Sequence, residues 1–133
     1  MQKEQNYNPN LIVLYSKDVE KSEAFYQNAL DRKPIAKFEG FALFQISDQM
    51  QLGIQAESDI LPQATGPYGG FELCISDVSI ADVNALCEQW KAQKFHFILE
   101  PQHLEFGYTA VITDPDGHRL RICATDTSGL QER

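Results

Sequence analysis

Two charged residues stand inside stretches that otherwise have the pattern of half-buried β-strands. Glu72 lies in the run Gly70–Ile75, and Arg121 follows the turn Asp114-Pro115-Asp116-Gly117; polar and apolar residues alternate around both. This alternation predicts strands with one apolar face and one polar face. On a half-enclosed face, Arg121 could bind an anionic or carbonyl group while Glu72 binds a cation or a hydrogen-bond donor. The two side chains could equally pair with each other and only satisfy a buried site. The sequence leaves both interpretations open.

Other patterns that carry chemistry are weak in this chain. The three histidines show no metal-ligand spacing such as HxH or HExxH, and no glycine-rich phosphate loop is present. No serine or cysteine can be matched with a neighbouring base. We interpret the histidines as structural or surface residues, and we expect His118, directly after the turn, to be solvated. No catalytic residue is therefore assigned. The histidines are His96, His103 and His118.

Composition narrows the class of protein. The chain has 133 residues, 43% of them hydrophobic, which suits one domain with a real core. No apolar run approaches the ~20 residues of a membrane span, and the polar start lacks the apolar segment of a secretory signal. Three cysteines (Cys74, Cys87 and Cys123) cannot all pair within the chain, which indicates reduced thiols and a cytoplasmic location. The net charge of −8 argues against a protein that binds nucleic acid. It is compatible with attraction of cationic small molecules or simply with solubility.

The elements that position these residues occur twice. In the first half we predict a strand at 11–15, a helix at 19–30 and strands at 35–38, 41–46 and 51–55. The segment 57–68, rich in Pro, Gly and Ser, is a linker. In the second half we predict a strand at 70–75, a helix at 80–93 that begins with a Ser79–Asp82 capping box, a strand at 95–99, a loop at 100–105 and two strands around the 114–117 turn. An Asp-Val pair precedes each helix. The repeat predicts a single α+β domain (1–133) of two βαβββ modules, at about 10–56 and 69–125.

With this repeat in place, the chain resembles the vicinal oxygen chelate superfamily. The resemblance rests on three stretches: Leu11–Tyr26, Gly69–Val78 and Asp114–Ile122. The superfamily includes glyoxalase I, fosfomycin-resistance proteins, extradiol dioxygenases and bleomycin-resistance proteins. The resemblance implies paired curved mixed sheets around a cleft, with the helices outside. It also implies a homodimer whose clefts use both subunits.

The resemblance further implies where a metal would bind. Metal-dependent members take ligands from the start of the first strand and the middle of the last strand in each module. Counted from the Asp-Val pairs and the matched last strands, these positions hold Leu11, Gly53, Gly70 and Arg121. None is a donor for a divalent metal, and arginine does not deprotonate to become one. We therefore expect no metal cofactor. The alternative is a metal site rebuilt from other residues of the same faces, namely Glu72, Gln51 or Gln55, and Cys74 or Cys123.

The expected cleft also sets the candidate ligand contacts. Two glycines, Gly53 and Gly70, either open volume for a ligand or admit a close backbone. Phe106 and Tyr108 lie beside the predicted loop and could stack on a planar ligand. Aromatic residues at helical spacing are assigned to the core instead: Trp90, Phe25 and Tyr26. The predicted ligand-binding residues are Tyr15, Gln51, Glu72, Cys74, Tyr108 and Arg121.

The functional prediction follows from these positions. The chain resembles the metal-free, bleomycin-resistance type of member, which implies a small-molecule binding protein that sequesters a metabolite or antibiotic without turnover. The alternative is a divergent metal-dependent lyase or dioxygenase of the same superfamily. A small molecule and a second copy of the chain are the expected partners; nucleic acid and membrane are not.

Overall fold

The computed structural model describes residues 8–68 and 70–131. The chain divides into two compact units, with the boundary between Thr65 and Gly66. We call these units module one and module two. The described residues form eight strands and two α-helices, and each module has the order β-α-β-β-β. The predicted α+β class with two βαβββ modules is therefore confirmed. Neither α-helix in the described part of the chain has the length and apolar character that a membrane crossing requires.

Module one is a four-stranded mixed sheet with one helix on it. Its elements are β1 (Leu11–Ser16), α1 (Val19–Ala29), β2 (Ala36–Phe38), β3 (Phe41–Ser47) and β4 (Met50–Ala56). The strand order is β1-β4-β3-β2, with β1 parallel to β4 and the other pairs antiparallel. A short 3-10 turn, Glu57–Asp59, follows β4.

The helix α1 starts and packs as its sequence predicts. The Asp18 side chain accepts a hydrogen bond from the backbone N–H of Lys21 at 3.2 Å, which satisfies a donor at the helix N-terminus. The helix packs on β3 and β4. Phe25 and Tyr26 are buried, in agreement with the prediction that they belong to the core. The core side of the sheet is also fully apolar at its centre, where Phe44, Leu52 and Ile54 are buried.

Module two repeats this arrangement. Its elements are β5 (Glu72–Ile75), α2 (Ile80–Ala92), β6 (His96–Leu104), β7 (Gly107–Thr113) and β8 (Arg119–Thr125). The order β5-β8-β7-β6, with β5 parallel to β8, matches module one. The predicted Ser79–Asp82 capping box is present, with reciprocal hydrogen bonds of 3.0 Å. Trp90 on α2 is fully buried, as predicted.

One predicted loop is wrong. Residues 100–105 were expected to be irregular, but β6 continues through Leu104. Proline cannot donate to a strand ladder, and the ladder accommodates Pro101 at a register irregularity between Leu99 and Gln102. The chain reverses after Leu104 instead. Gly107 follows with φ of 141°, where a Cβ would collide with the carbonyl oxygen of Ala124.

The side chain of Asp114 holds the turn before β8 together. One carboxylate oxygen of Asp114, Oδ1, accepts hydrogen bonds from the backbone N–H groups of Asp116 and His118 at 2.8 and 2.9 Å. This folds His118 inward, so it is 6% exposed and its ring lies 5.2 Å from the ring of Tyr68. The prediction that His118 is solvated is therefore wrong.

Candidate functional site

The parallel strand pairs identify equivalent positions in the two modules. Val13 pairs with Gly53 in module one, and Cys74 pairs with Arg121 in module two. Buried apolar residues flank both last-strand positions and face the helix side. Gly53 and Arg121 are thus equivalent, as the sequence repeat predicted, and Val13 is equivalent to Cys74.

The same register corrects one of the four predicted metal positions. Leu11 lies two residues before Val13, so its equivalent is Glu72, two residues before Cys74. Gly70 lies outside β5 altogether, and its assignment was wrong. The count from the Asp-Val pair failed because the matched strand positions lie at different distances from it. Val13 precedes Asp18 by two residues more than Cys74 precedes Asp77. The four positions therefore hold Leu11, Gly53, Glu72 and Arg121.

Glu72 and Arg121 meet on the face of module two that points away from α2. The Nε atom of Arg121 donates to Oε2 of Glu72 at 2.8 Å. The Arg121 side chain is 13% exposed and the Glu72 side chain 36% exposed. A charged pair at this depth is partly desolvated, so its charges interact more strongly than a surface pair. The structure thus pairs the two charged residues that the alternation placed on half-buried strands.

Two further side chains hold the guanidinium in place. Nη1 of Arg121 donates to Oγ1 of Thr109 at 3.1 Å, and that hydroxyl donates onward to the carbonyl oxygen of Ile122 at 2.8 Å. The guanidinium carbon lies 5.3 Å from the ring centroid of Phe106, within cation–π range. We call Glu72, Phe106, Thr109 and Arg121 the arginine cluster. Thr109 was missed from sequence, although alternation along β7 puts it on the same face as Arg121.

The arginine cluster leaves part of the guanidinium available. The N–H groups of Nη2 have no hydrogen-bond partner among the described residues of module two. Arginine carries five N–H donors and stays charged at every physiological pH. The cluster therefore presents a fixed positive group that can donate to a carboxylate, phosphate or carbonyl oxygen.

Cys74 lies next to this cluster, in register with Arg121. Its thiol is free and its residue exposed. Partial burial is the main cause that raises the pKa of Cys74 above its usual value. At neutral pH the group is a thiol, so it offers a soft, neutral contact and not a thiolate nucleophile. Cys123, on the same strand face as Arg121, is buried.

Tyr108 does not join the arginine cluster. Its hydroxyl donates to Oδ1 of Asn84 on α2 at 2.7 Å, so the side chain lies on the helix side of the sheet. Its neighbour Thr109 faces Arg121, and alternation places adjacent strand residues on opposite faces. Tyr108 was predicted to contact a ligand from a position beside the loop; the structure places it on the face opposite Arg121, and the ligand contact stays a prediction.

Tyr15 and Gln51 lie on the corresponding face of module one. Both are half-buried, and Nε2 of Gln51 donates to Oε1 of Gln45 at 3.1 Å. The space expected at Gly53 is filled: a Cβ there would lie 2.9 Å from Cζ of Phe41. The ring of Phe41 occupies this space, so the structure shows neither the opened volume nor the close backbone expected at this glycine.

The residues at the four superfamily positions do not fit a divalent metal. Leu11 and Gly53 have no donor side chain, and the carboxylate of Glu72 is bound to the permanent cation of Arg121. Within residues 8–68 and 70–131, no group of three or more His, Cys, Asp or Glu side chains is arranged to hold a metal ion. Within module two, Arg121 is bonded to Glu72 and in register with Cys74, two of the ligands considered for a rebuilt site, and a permanent cation there repels a divalent metal.

Comparisons with known proteins now place the chain. A family model described as the Glyoxalase/Bleomycin resistance protein/Dioxygenase superfamily matches residues 8–122. The chain belongs to this superfamily. It is 33% identical over 121 residues to the phenazine antibiotic resistance protein EhpR of Enterobacter agglomerans, covering 89% of this chain and 92% of that protein.

Solved structures agree with the fold. A protein of Agrobacterium tumefaciens determined by solution NMR is 32% identical, with a TM-score of 0.77 over 91% of this chain and 99% of that one. A glyoxalase/bleomycin resistance protein/dioxygenase from Nocardioides has a TM-score of 0.81 at 19% identity, covering 98% of this chain and 91% of that one. At this lower identity the likeness shows the fold alone.

Proposed function

We propose that this chain is a resistance-type binding protein that sequesters a planar heteroaromatic small molecule of the phenazine class, without a metal and without turnover. The observation that carries the proposal is the arginine cluster: a positioned cation occupies a superfamily metal position. The similarity to a phenazine antibiotic resistance protein supports the ligand class.

The chemistry of the cluster supports binding over catalysis. Glu72 and Thr109 hold Arg121 in one orientation, which lowers the entropy lost when a ligand oxygen accepts from it. A carboxylate or carbonyl on an aromatic ring would accept from Nη2, and the ring itself would contact the apolar residues of the face. The thiol of Cys74, held in its neutral form, adds no nucleophile to this group.

The test is a titration of the purified protein, stripped of metal with a chelator, with phenazine-1-carboxylate and with unsubstituted phenazine. Isothermal titration calorimetry is expected to show stoichiometric binding of both, with the carboxylate bound more tightly because Arg121 adds a charged hydrogen bond. Chromatography of the recovered ligand is expected to show it unchanged.

The competing function is a metal-dependent lyase or dioxygenase. A stoichiometric Fe, Mn, Ni or Zn that survives dialysis of the protein before chelator treatment, together with conversion of the ligand, would replace the binder proposal with this one. Absence of binding to either phenazine would refute the ligand class. The homodimer and the cytoplasmic location expected from sequence stay predictions; light scattering coupled to size-exclusion chromatography tests the former.

A further inference from the structure

The ion pair of Glu72 and Arg121 keeps one hydrogen-bond donor and one acceptor for a ligand. Nε of Arg121 donates to Oε2 of Glu72, and Nη1 donates to Oγ1 of Thr109. Within residues 8–68 and 70–131, neither Nη2 of Arg121 nor Oε1 of Glu72 has a hydrogen-bond partner. Since a guanidinium only donates and a carboxylate only accepts, the pair offers both kinds of contact from one place.

These two groups are neighbours. In a guanidinium, the Nε–H group and one N–H of Nη2 point along the same edge, as a fork that two acceptor atoms can meet side by side. Glu72 meets this edge through one oxygen, Oε2, at 2.8 Å from Nε. The N–H of Nη2 therefore lies beside the carboxylate of Glu72. The carboxylate is the more open partner, because its side chain is 36% exposed and that of Arg121 is 13% exposed.

We propose that the Glu72–Arg121 pair recognises a primary carboxamide, so that the preferred ligand is an uncharged aromatic carboxamide and not the corresponding carboxylate. This inference rests on the proposed function and names the ligand group that the arginine cluster selects. The carbonyl oxygen of the amide accepts from Nη2 of Arg121, and the amide N–H on the same side as that oxygen donates to Oε1 of Glu72. In phenazine-1-carboxamide the other amide N–H faces the ring nitrogen, so this outward edge is available.

Charge separates the amide from the acid. A carboxylate has acceptors only, so its second oxygen would face the negatively charged Oε1 of Glu72 with no proton between them. Like charges on a partly desolvated face repel each other more strongly than in bulk water. Arg119 is in register with Glu72, but it is exposed, so water screens its charge. The pair thus combines an attractive contact to the amide with a repulsive one to the acid, which is how a site gains specificity.

The experiment measures three ligands by calorimetric titration of the full chain. They are phenazine-1-carboxamide, phenazine-1-carboxylate and the methyl ester of the acid, which keeps the carbonyl oxygen but has no N–H. Wild-type protein is expected to bind the carboxamide about tenfold more tightly than either of the others, because only the carboxamide donates to the charged oxygen of Glu72.

Glu72→Gln reverses the pattern of donors and acceptors. The amide oxygen of the new side chain can hold Nε of Arg121, and its NH₂ group then donates where Oε1 accepted. Two donors side by side suit a carboxylate, so this variant is expected to bind phenazine-1-carboxylate at least as tightly as the carboxamide. The matched control is Glu100→Gln, which removes a carboxylate that pairs with Lys91 at 2.9 Å in the same module. It is expected to retain the preference of the wild type.

The outcomes separate the two proposals. If wild-type protein binds the carboxylate or the ester as tightly as the carboxamide, the amide preference is refuted and the binding function stands. A preference that Glu72→Gln leaves unchanged would mean that Glu72 only holds Arg121 in place, and it would also overturn the inference. If wild-type protein binds none of the three phenazines, both proposals fail. Each preference compares ligands on one variant, so a loss of stability does not imitate the reversal, and thermal unfolding reports on that stability.

Discussion

Replacing Arg121 by methionine separates a binding role for the arginine cluster from a purely structural one. Methionine keeps an unbranched apolar stem against Phe106 but removes all five N–H donors. Thr109 keeps a partner, because its hydroxyl still donates to the carbonyl oxygen of Ile122. Glu72 loses its cation, yet its side chain is 36% exposed and regains water. The free energy of unfolding is therefore expected to fall by only about 1 kcal/mol or less.

The effect on binding is expected to be larger and selective. A hydrogen bond to a charged group contributes about 1.5–3 kcal/mol, so Arg121→Met should weaken phenazine-1-carboxylate by about 10- to 150-fold. Unsubstituted phenazine has no carboxylate to accept from Arg121, so its affinity should change by less than about threefold. Calorimetric titration of the two ligands measures both values, and thermal unfolding measures the stability.

Glu72→Gln is the matched variant of the same pair. The amide oxygen of glutamine can still accept from Nε and keep Arg121 in place, while the competing negative charge is lost, so phenazine-1-carboxylate is expected to bind as tightly as to wild type or more tightly. A purely structural ion pair would make both variants lose stability together and leave the ratio of the two ligand affinities unchanged. That result, or equal weakening of both ligands by Arg121→Met, would refute the reasoning.

Four further outcomes are expected from the geometry of module two. Ser79→Ala should lower stability by about 1 kcal/mol in denaturant titration, because it breaks the helix cap. Hydrogen bonds from the Ser79 backbone N–H and then from its side chain hold the pKa of Asp82 below its usual value. The resulting contribution to stability is present above the unfolded-state pKa and should be lost as the pH falls through the folded-state pKa. Asp82→Asn should abolish this pH dependence in an acid titration. In native protein a thiol reagent should label Cys74 first, since Cys87 is buried and burial raises its pKa to about 11; equal labelling rates would contradict this. Gly107→Ala should lower stability by more than about 1 kcal/mol, because φ of 141° disfavours a side chain; unchanged unfolding would show that the turn can relax.

Local sequence was sufficient for the elements and for their faces. Alternation along β5 and β8 placed Glu72 and Arg121 on one side of a sheet, because successive strand side chains point in opposite directions whatever the rest of the chain does. Helix α1 and the capping box of α2 are set by residues within one turn of each start. The internal repeat predicted the same order of elements twice, and the structure has it twice.

Which residues lie together at the site was decided by the pairing of strands that are distant in sequence. The equivalence of Leu11 with Glu72 required the registers of β1 with β4 and of β5 with β8, and a count along the chain missed it by two residues. The predicted loop at 100–105 is strand instead, because a ladder irregularity lets β6 continue past Pro101. Gly53 could not be interpreted until Phe41 was seen to lie over it. Register and side-chain packing depend on contacts between residues far apart in sequence, and no local pattern contains them. The sequence alone therefore placed an arginine on the polar face of the last strand. Its hydrogen-bond partners, its orientation and its available N–H donors were decided by the tertiary structure.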